Sequence, residues 1–315
     1  MRRIALFATL LASLSATAGA TEAGPAPLDP VVRIASAGDL ACKDPPKNNR
    51  RVCQYDDVSE LVAAGDYDAF LVLGDVQYEY GRYRDFVENY DRYFGRFMDS
   101  SYPVPGNHDY GVEGAAGYFR YFGERAPGPY YSFDLGAWHV IGLDTDLCSP
   151  YYGDPCGRGD PQYEWLKADL AANADAECTL AFFHHPRWDW LKYQNASWTE
   201  SFDLERSKPF YRLLYDAGAD VILAGHNHNY QRYLPSDPHG NVDRRRGIVE
   251  FVVGSGGRNL NDLGAESTRP DNFAVGTDDD FGILEMTLHD GSYDYRFVST
   301  RPNGFIDADW GVPCR

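Results

Sequence analysis

Long apolar runs, basic residues and closely spaced cysteine pairs are all scarce in this 315-residue chain. After the apolar run that ends at Leu14, no stretch approaches the roughly 20 apolar residues that a membrane-spanning helix needs. Lys and Arg total 29, and setting aside Arg2 and Arg3 leaves 27 against 47 acidic residues, a formal charge of −20. Duplex nucleic acid and anionic membranes are repelled by such a balance, whereas a small anion held by a metal is not. No cysteine pair has the C-x2-C spacing of a zinc cluster. Neither an internal repeat nor a composition break divides the chain.

What is present begins with Arg2-Arg3, an apolar run from Ile4 to Leu14 and the small residues Ala16-Thr17-Ala18-Gly19-Ala20. This is the three-part pattern of a secretory signal peptide. Residues 1–20 are therefore expected to be a leader, 21–30 a flexible Pro/Gly-rich lead-in, and 31–315 a single catalytic domain. No cysteine follows the small-residue stretch, so no stable membrane anchor is expected, and the location is secreted or periplasmic. The 43% hydrophobic and 15% aromatic content supplies a substantial core. The six cysteines, an even number in an exported chain, favour disulfides. Short intervals suggest Cys42–Cys53 and Cys148–Cys156, which leaves Cys178 for Cys314.

Apolar runs recur at 31–39, 68–75, 102–109, 139–146, 178–185 and 220–228, each short, rich in Val, Ile, Leu or Phe and stopped by Gly or a polar residue. They read as buried strands. Between them lie helical patterns such as 160–174, where Trp165, Leu166 and Leu170 share a face after Pro161. Alternating strands and helices indicate an α/β layering. Beyond Arg246, "GIVEFVVGSGG", "FGILEMTLHDG" and "SYDYRFVST" read as strands joined by glycine turns that add an antiparallel or mixed sheet edge.

Asp39, Asp75, Asn107, His184 or His185, and the pair His226 and His228 each follow an apolar run directly, where open α/β sheets gather ligand sites. Each also has a plainer role open to it. Asp39 and Asp75 could cap turns or helices, Asn107 could belong to an ordinary turn, and one of His226 and His228 could face inward. Joint occurrence weighs the other way, because five of the eight histidines fall at these strand ends. Carboxylate and amide oxygens mixed with imidazoles suit first-row metals better than calcium.

"GDL" at 38–40, "GDVQY" at 74–78, "GNHD" at 106–109, "AFFHHP" at 181–186 and "GHNH" at 225–228 resemble, in order and rough spacing, the motifs of the calcineurin-like metallophosphoesterases. The tyrosine of GDxxY is similar to that of the purple acid phosphatase branch, and Gly254, Gly256 and Gly257 resemble the tail of bacterial members. The resemblance implies a four-layer α/β/β/α sandwich of two mixed sheets flanked by helices, with a metal site at strand C-terminal ends. It also implies two metal ions bridged by Asp75, with Asp39, Tyr78 and His228 completing one site and Asn107, His184 and His226 the other. Fe(III) is expected at the Tyr78 site and a divalent Fe, Zn or Mn ion at its neighbour. Relatives without the tyrosine commonly carry a histidine two positions after the first aspartate, where this chain has Ala41. Asp39-Leu40-Ala41 replaces the usual Asp-x-Gly and Ala181 a usual valine, departures that remove no ligand.

The activity so implied is hydrolysis of phosphate monoesters by a hydroxide held on the metal pair, with His108 protonating the departing alcohol and Asp109 orienting His108. Alternatives are a phosphodiesterase or nucleotidase with the same cluster, or an inactive metal-binding protein. The substrate is a small phosphorylated molecule, and His185, Arg187, Asn229 and Tyr230 are its candidate polar contacts. The aromatic stretch 187–198 either walls the pocket or packs locally, and Asn195-Ala196-Ser197 fits a glycosylation sequon.

Overall fold

Unbroken apolar runs form strands here because both faces of each are covered. In the computed structural model, which describes residues 31–43, 53–148, 156–191 and 198–315, the strands in chain order are β1 (Val32–Ala37), β2 (Ala69–Leu73), β3 (Ser101–Val104), β4 (Tyr131–Leu135), β5 (Trp138–Gly142), β6 (Cys178–Phe183), β7 (Val221–Ala224), β8 (Tyr230–Ser236), β9 (Ile248–Val253), β10 (Phe273–Thr277), β11 (Gly282–His289), β12 (Ser292–Ser299) and β13 (Ala308–Pro313). They form a six-stranded sheet in the order β13-β12-β11-β1-β2-β3 and a seven-stranded sheet in the order β10-β8-β9-β7-β6-β5-β4. The side chains of β2 show how the layers are made. Ala69, Leu71 and Leu73 enter the core between the sheets, while Phe70 and Val72 point outward against the helix Tyr55–Ala64 and the helical segments around Phe86, Phe94 and Phe122.

The seven-stranded sheet repeats this division. Leu180 and Phe182 of β6 meet the first sheet. Ala181 and Phe183 face Leu166 and Leu170 of the helix Pro161–Ala172 and Phe210 and Leu214 of the helix Trp198–Ala217. Asp160 caps the first of these helices by accepting from the backbone N–H groups of Gln162 and Tyr163, with Pro161 opening it. The result is the α/β/β/α sandwich.

β1, β2 and β3 run parallel, as do β5, β6, β7 and β9. The late strands are shared between the sheets. β9 pairs with β7 in parallel inside the second sheet, whereas β11 and β12 form an antiparallel flank beside β1 in the first. Cys42–Cys53, Cys148–Cys156 and Cys178–Cys314 are disulfides. The last joins the start of β6 to the residue after β13 and so ties the two sheets together at the end remote from the parallel strand termini. No described helix is long and apolar enough to cross a membrane.

Candidate metal centre

Neighbouring strand ends are locked together before any side chain is considered. Asp39 N–H donates to Gly74 O (3.0 Å), Leu40 N–H to Asp75 O (3.0 Å) and Gly225 N–H to His184 O (3.0 Å), continuing the strand pairing into the loops. Among the described residues, Asp39, Asp75, Ala115 and His226 are the non-glycine residues with positive φ (59°, 48°, 49° and 70°). Such a backbone costs of order 1–3 kcal/mol for a non-glycine residue and clusters at functional sites. Gly74, itself at φ +80°, lies so close to His184 that a β-carbon would strike the imidazole, and one on Gly106 would strike Asp75. Close approach of side chain to backbone explains both glycines.

Tyr78 is fully buried, and its hydroxyl lies 2.8 Å from Asp39 Oδ1, 2.9 Å from Asp75 Oδ2 and 3.0 Å from His228 Nε2. His228 Nδ1 donates to the Asn259 carbonyl at 2.9 Å, so the neutral ring presents its Nε2 lone pair to this group. One phenol hydrogen therefore faces three acceptors. On the other side of Asp75, His184 Nδ1 donates to the Leu73 carbonyl (2.9 Å). Its Nε2 then faces Asp75 Oδ1 (3.4 Å), Asn107 Oδ1 (3.2 Å) and His226 Nδ1 (3.3 Å). The two oxygens of Asp75 are divided between the groups.

Acceptors gathered this closely favour positive charge between them. Burial disfavours a charged His184, yet the Asp75 carboxylate beside it pushes the ring up to about 10. Burial likewise opposes a charged Asp75, but His184 and His108 hold it below the usual carboxylate range. Burial, then Asp39 and Asp75, keep the Tyr78 phenol well above its ordinary value. Asp39, Asp75 and His228 place one potential ligand atom each within 4.8 Å of one another, as do His184, His185 and His226. Mixed carboxylate, phenol, amide and imidazole donors fit a pair of first-row metal ions. The carbonyl partners of His184 and His228 fix ring orientation in the way metal-binding imidazoles require.

His108 stands at the rim, its side chain 33% exposed. Its Nδ1 donates to the Glu79 carbonyl at 2.8 Å, leaving Nε2 3.9 Å from Asp75 Oδ2. Asp109 is not its orienting partner. The Asp109 carboxylate accepts from the backbone N–H groups of Val76 (3.1 Å), Gln77 (3.3 Å) and Gly106 (3.0 Å), so it braces two ligand loops from behind.

Burial also corrects the expected substrate contacts. Tyr230 packs against Phe297 in the intersheet core and donates to Asp307 at 2.7 Å. Asn229 accepts from Gln231 and donates to Asn261 O, and the Arg187 guanidinium lies over the Trp188 ring at 4.2 Å while its backbone N–H donates to Glu250. His185 is buried beside the His226 ring, its Nδ1 2.8 Å from Thr145 Oγ1. Trp188 packs edge-on to Tyr211 and Trp190 to Phe273, the local alternative for this stretch. Asn195 lies outside the described residues.

Several neighbours were not singled out from the sequence. Thr145 and the buried Asp144 and Asp146 follow β5 directly, and Arg206 donates to Asp146 at 3.0 Å; their place after an apolar run was the available clue. Glu79, Leu73 and Asn259 act through backbone carbonyls, which any residue type provides.

Residues 32–230 match the calcineurin-like phosphoesterase family. The chain is 29% identical over 189 residues to purple acid phosphatase 15 of Arabidopsis thaliana, covering 52% of this chain and 32% of that protein. It is 28% identical over 264 residues to probable purple acid phosphatase 20 of the same plant, covering 76% and 54%. The chain thus spans between a third and little more than half of these relatives. In fold it is similar to a purple acid phosphatase from yellow lupin seeds (TM-score 0.69, 19% identity, 89% of this chain and 53% of that one). It is also similar to GAP50, the anchor in the inner membrane complex of Plasmodium (TM-score 0.61, 14% identity, 90% and 89%). With the strand-end motifs inside the matched region and purple acid phosphatases among its relatives, this chain belongs to the calcineurin-like phosphoesterase family.

Proposed function

We propose that this protein is an exported phosphatase that releases orthophosphate from small phosphate monoesters at a centre of two metal ions. The observation that carries this is the division of the Asp75 carboxylate, Oδ2 toward Tyr78 and Oδ1 toward His184, between two clusters of converging acceptors. Asp39, Tyr78 and His228 would hold one ion with Asp75, and Asn107, His184 and His226 the other. The hard phenolate and carboxylate oxygens suit Fe(III) in the first place, and the imidazole-rich second place suits divalent Fe, Zn or Mn. Bound there, the pair would activate water and neutralise the phosphoryl oxygens.

The chain itself supplies orientation and a proton. The Glu79 carbonyl fixes the proton of His108 on Nδ1, so Nε2 is the atom that carries a proton to the departing oxygen, and its partial exposure leaves it within reach of substrate. Three disulfides and the leader-like first twenty residues support export, and the single domain is 31–315.

The test compares turnover of p-nitrophenyl phosphate and bis(p-nitrophenyl) phosphate by protein of measured metal content. Faster turnover of the monoester is expected. A wide diester preference would make the protein a phosphodiesterase, and no turnover of either by fully metallated protein would make it a binding protein.

A further inference from the structure

Gln77 stands in sequence between the proposed ligands Asp75 and Tyr78, and its side chain is wholly buried. Every hydrogen-bonding atom of its amide is engaged. Nε2 donates to the Ala41 carbonyl (3.2 Å) and to the Tyr78 carbonyl (2.8 Å), while Oε1 accepts from the Tyr90 N–H (3.2 Å). Two carbonyls on one side and an N–H on the other fix which way the amide points. The three partners belong to three segments. Ala41 lies in the loop after β1 that carries Asp39, Tyr78 in the loop after β2, and Tyr90 at the end of the π-helical turn Phe86–Tyr90, a kind of turn that recurs at functional sites. The Ala41 carbonyl also accepts from the Tyr78 N–H at 2.9 Å. The Tyr78 backbone is thus held at its N–H by Ala41 and at its carbonyl by Gln77.

We infer that Gln77 is a positioning residue whose amide sets the Tyr78 phenol against Asp39 and so governs how firmly that half of the centre retains its ion. The inference rests on the proposed reading of Tyr78 and Asp39 as ligands. The Tyr78 hydroxyl meets Asp39 Oδ1 at 2.8 Å and His228 Nε2 at 3.0 Å from the far end of a long, rigid side chain, so a small rotation at its backbone carries the oxygen much further. Gln77 restrains that rotation and ties the Asp39 loop to the same strut. Its three side-chain bonds involve none of Asn107, His184 and His226, so the other half of the centre is left alone. Partners behind a ligand typically change metal affinity by about 10–100-fold. An amide of this length is what the place demands, because one nitrogen has to serve two carbonyls while its oxygen serves an N–H.

The experiment measures retained metal across a chelator series for the wild type, Gln77→Met, Gln77→Glu and Gln77→Asn, with Phe94→Leu as the control. Phe94 stacks on the Tyr90 ring in the same buried cluster, and its apolar side chain makes no hydrogen bond to a ligand loop, so its truncation lowers stability alone. Gln77→Met fills the space without a hydrogen bond, and Gln77→Glu cannot donate to both carbonyls. Each should lose one ion about tenfold more readily than the wild type and keep the other. Gln77→Asn retains an amide too short to span all three partners and should lose the same ion by a smaller factor. Phe94→Leu should hold both ions as the wild type does, at a lower Tm. In iron-loaded protein the tyrosinate-to-iron band should shift in Gln77→Asn and stay in place in Phe94→Leu, a signature that general loss of stability does not produce. Wild-type retention and an unshifted band in Gln77→Asn, or an equal loss of metal in Phe94→Leu, would overturn the inference, and this outcome is readable even where Gln77→Met and Gln77→Glu fail to fold. A Tyr78→Phe protein that retains both ions as the wild type does would instead overturn the reading of Tyr78 as a ligand, and the role of Gln77 with it.

Discussion

Asp75 and Glu250 are both buried carboxylates at or near the parallel strands of this sandwich, and they are held in opposite states of charge. Burial acts against the anion in each. Around Asp75 it is overcome by His184 and His108; around Glu250 it wins over the backbone N–H groups of Arg187 and Trp188 and pushes the carboxyl up to about 8. The difference lies in the neighbours. Asp75 divides its oxygens between a phenol and an imidazole, whereas Glu250 turns Oε1 to a loop backbone. A buried acid marks a metal site only where other ligand atoms converge on the same point, and Arg187, expected at the substrate, belongs with Glu250 instead.

The sharpest break of this comparison is removal of the charge at each place. Asp75→Asn should lose metal from both halves of the centre, and turnover should fall at least about a thousandfold, since the electrostatic stabilisation it organises is the largest contribution to such catalysis. Glu250→Gln should leave metal content and turnover at wild-type values. Metal analysis beside a phosphatase assay reads both, and an active, metal-replete Asp75→Asn protein would abolish the distinction.

A smaller change separates the two halves of the centre from each other. Tyr78→Phe removes the phenol oxygen and leaves Asn107, His184 and His226 intact, so iron and its visible band should be lost while the divalent ion is kept. Turnover should drop by about a hundredfold, within the range for losing one group that organises transition-state charge. A colourless, iron-free wild type of full activity would show that the first half takes another metal.

His108 comes next, because in the proposed reaction it would protonate the leaving group and hold neither ion. His108→Ala should slow hydrolysis of alkyl phosphates by about a hundredfold, the lower end of what a positioned acid contributes. The loss should be much smaller for p-nitrophenyl phosphate, whose phenolate departs without help. Equal losses on the two substrates would show that His108 does not protonate the leaving group.

The fold and the convergence of the candidate ligands were legible in the sequence for one shared reason. Strands covered on both faces appear as unbroken apolar runs, and in parallel sheets the residue after each run falls at one common end, so "GDL", "GDVQY", "GNHD" and "GHNH" could be placed together before any coordinates. Helix 160–174 was legible from Pro161 and the spacing of Leu166 and Leu170, which are buried as expected. What was not legible depends on side-chain direction and backbone acceptors. Tyr230 is two residues beyond His228, yet it opens β8 with its side chain in the intersheet core. Asp109 adjoins His108 in sequence but faces the loop backbone, and the true partner of His108 is a carbonyl that no residue type announces.

The smallest expected effect concerns stability alone and keeps Glu250 in view. Its carboxyl ionises near 4.5 when exposed and near 8 in the fold, so the folded protein binds this proton more tightly than the unfolded chain. The stabilisation is whole below about pH 4.5, declines as pH rises, and is gone above about 8, a loss of at most about 5 kcal/mol. Gln at 250 keeps an oxygen for the Arg187 and Trp188 N–H groups and has no proton to lose. Thermal unfolding of Glu250→Gln should therefore match the wild type near pH 5 and exceed it by up to about 10 °C near pH 8.5. Asp75→Asn has no reason to follow that pattern, because the folded-state carboxyl it replaces lies below its ordinary range, not above it. Parallel Tm curves for Glu250→Gln and wild type from pH 5 to 8.5 would show that Glu250 is charged in the fold, and the contrast with Asp75 would then rest on metal ligation alone.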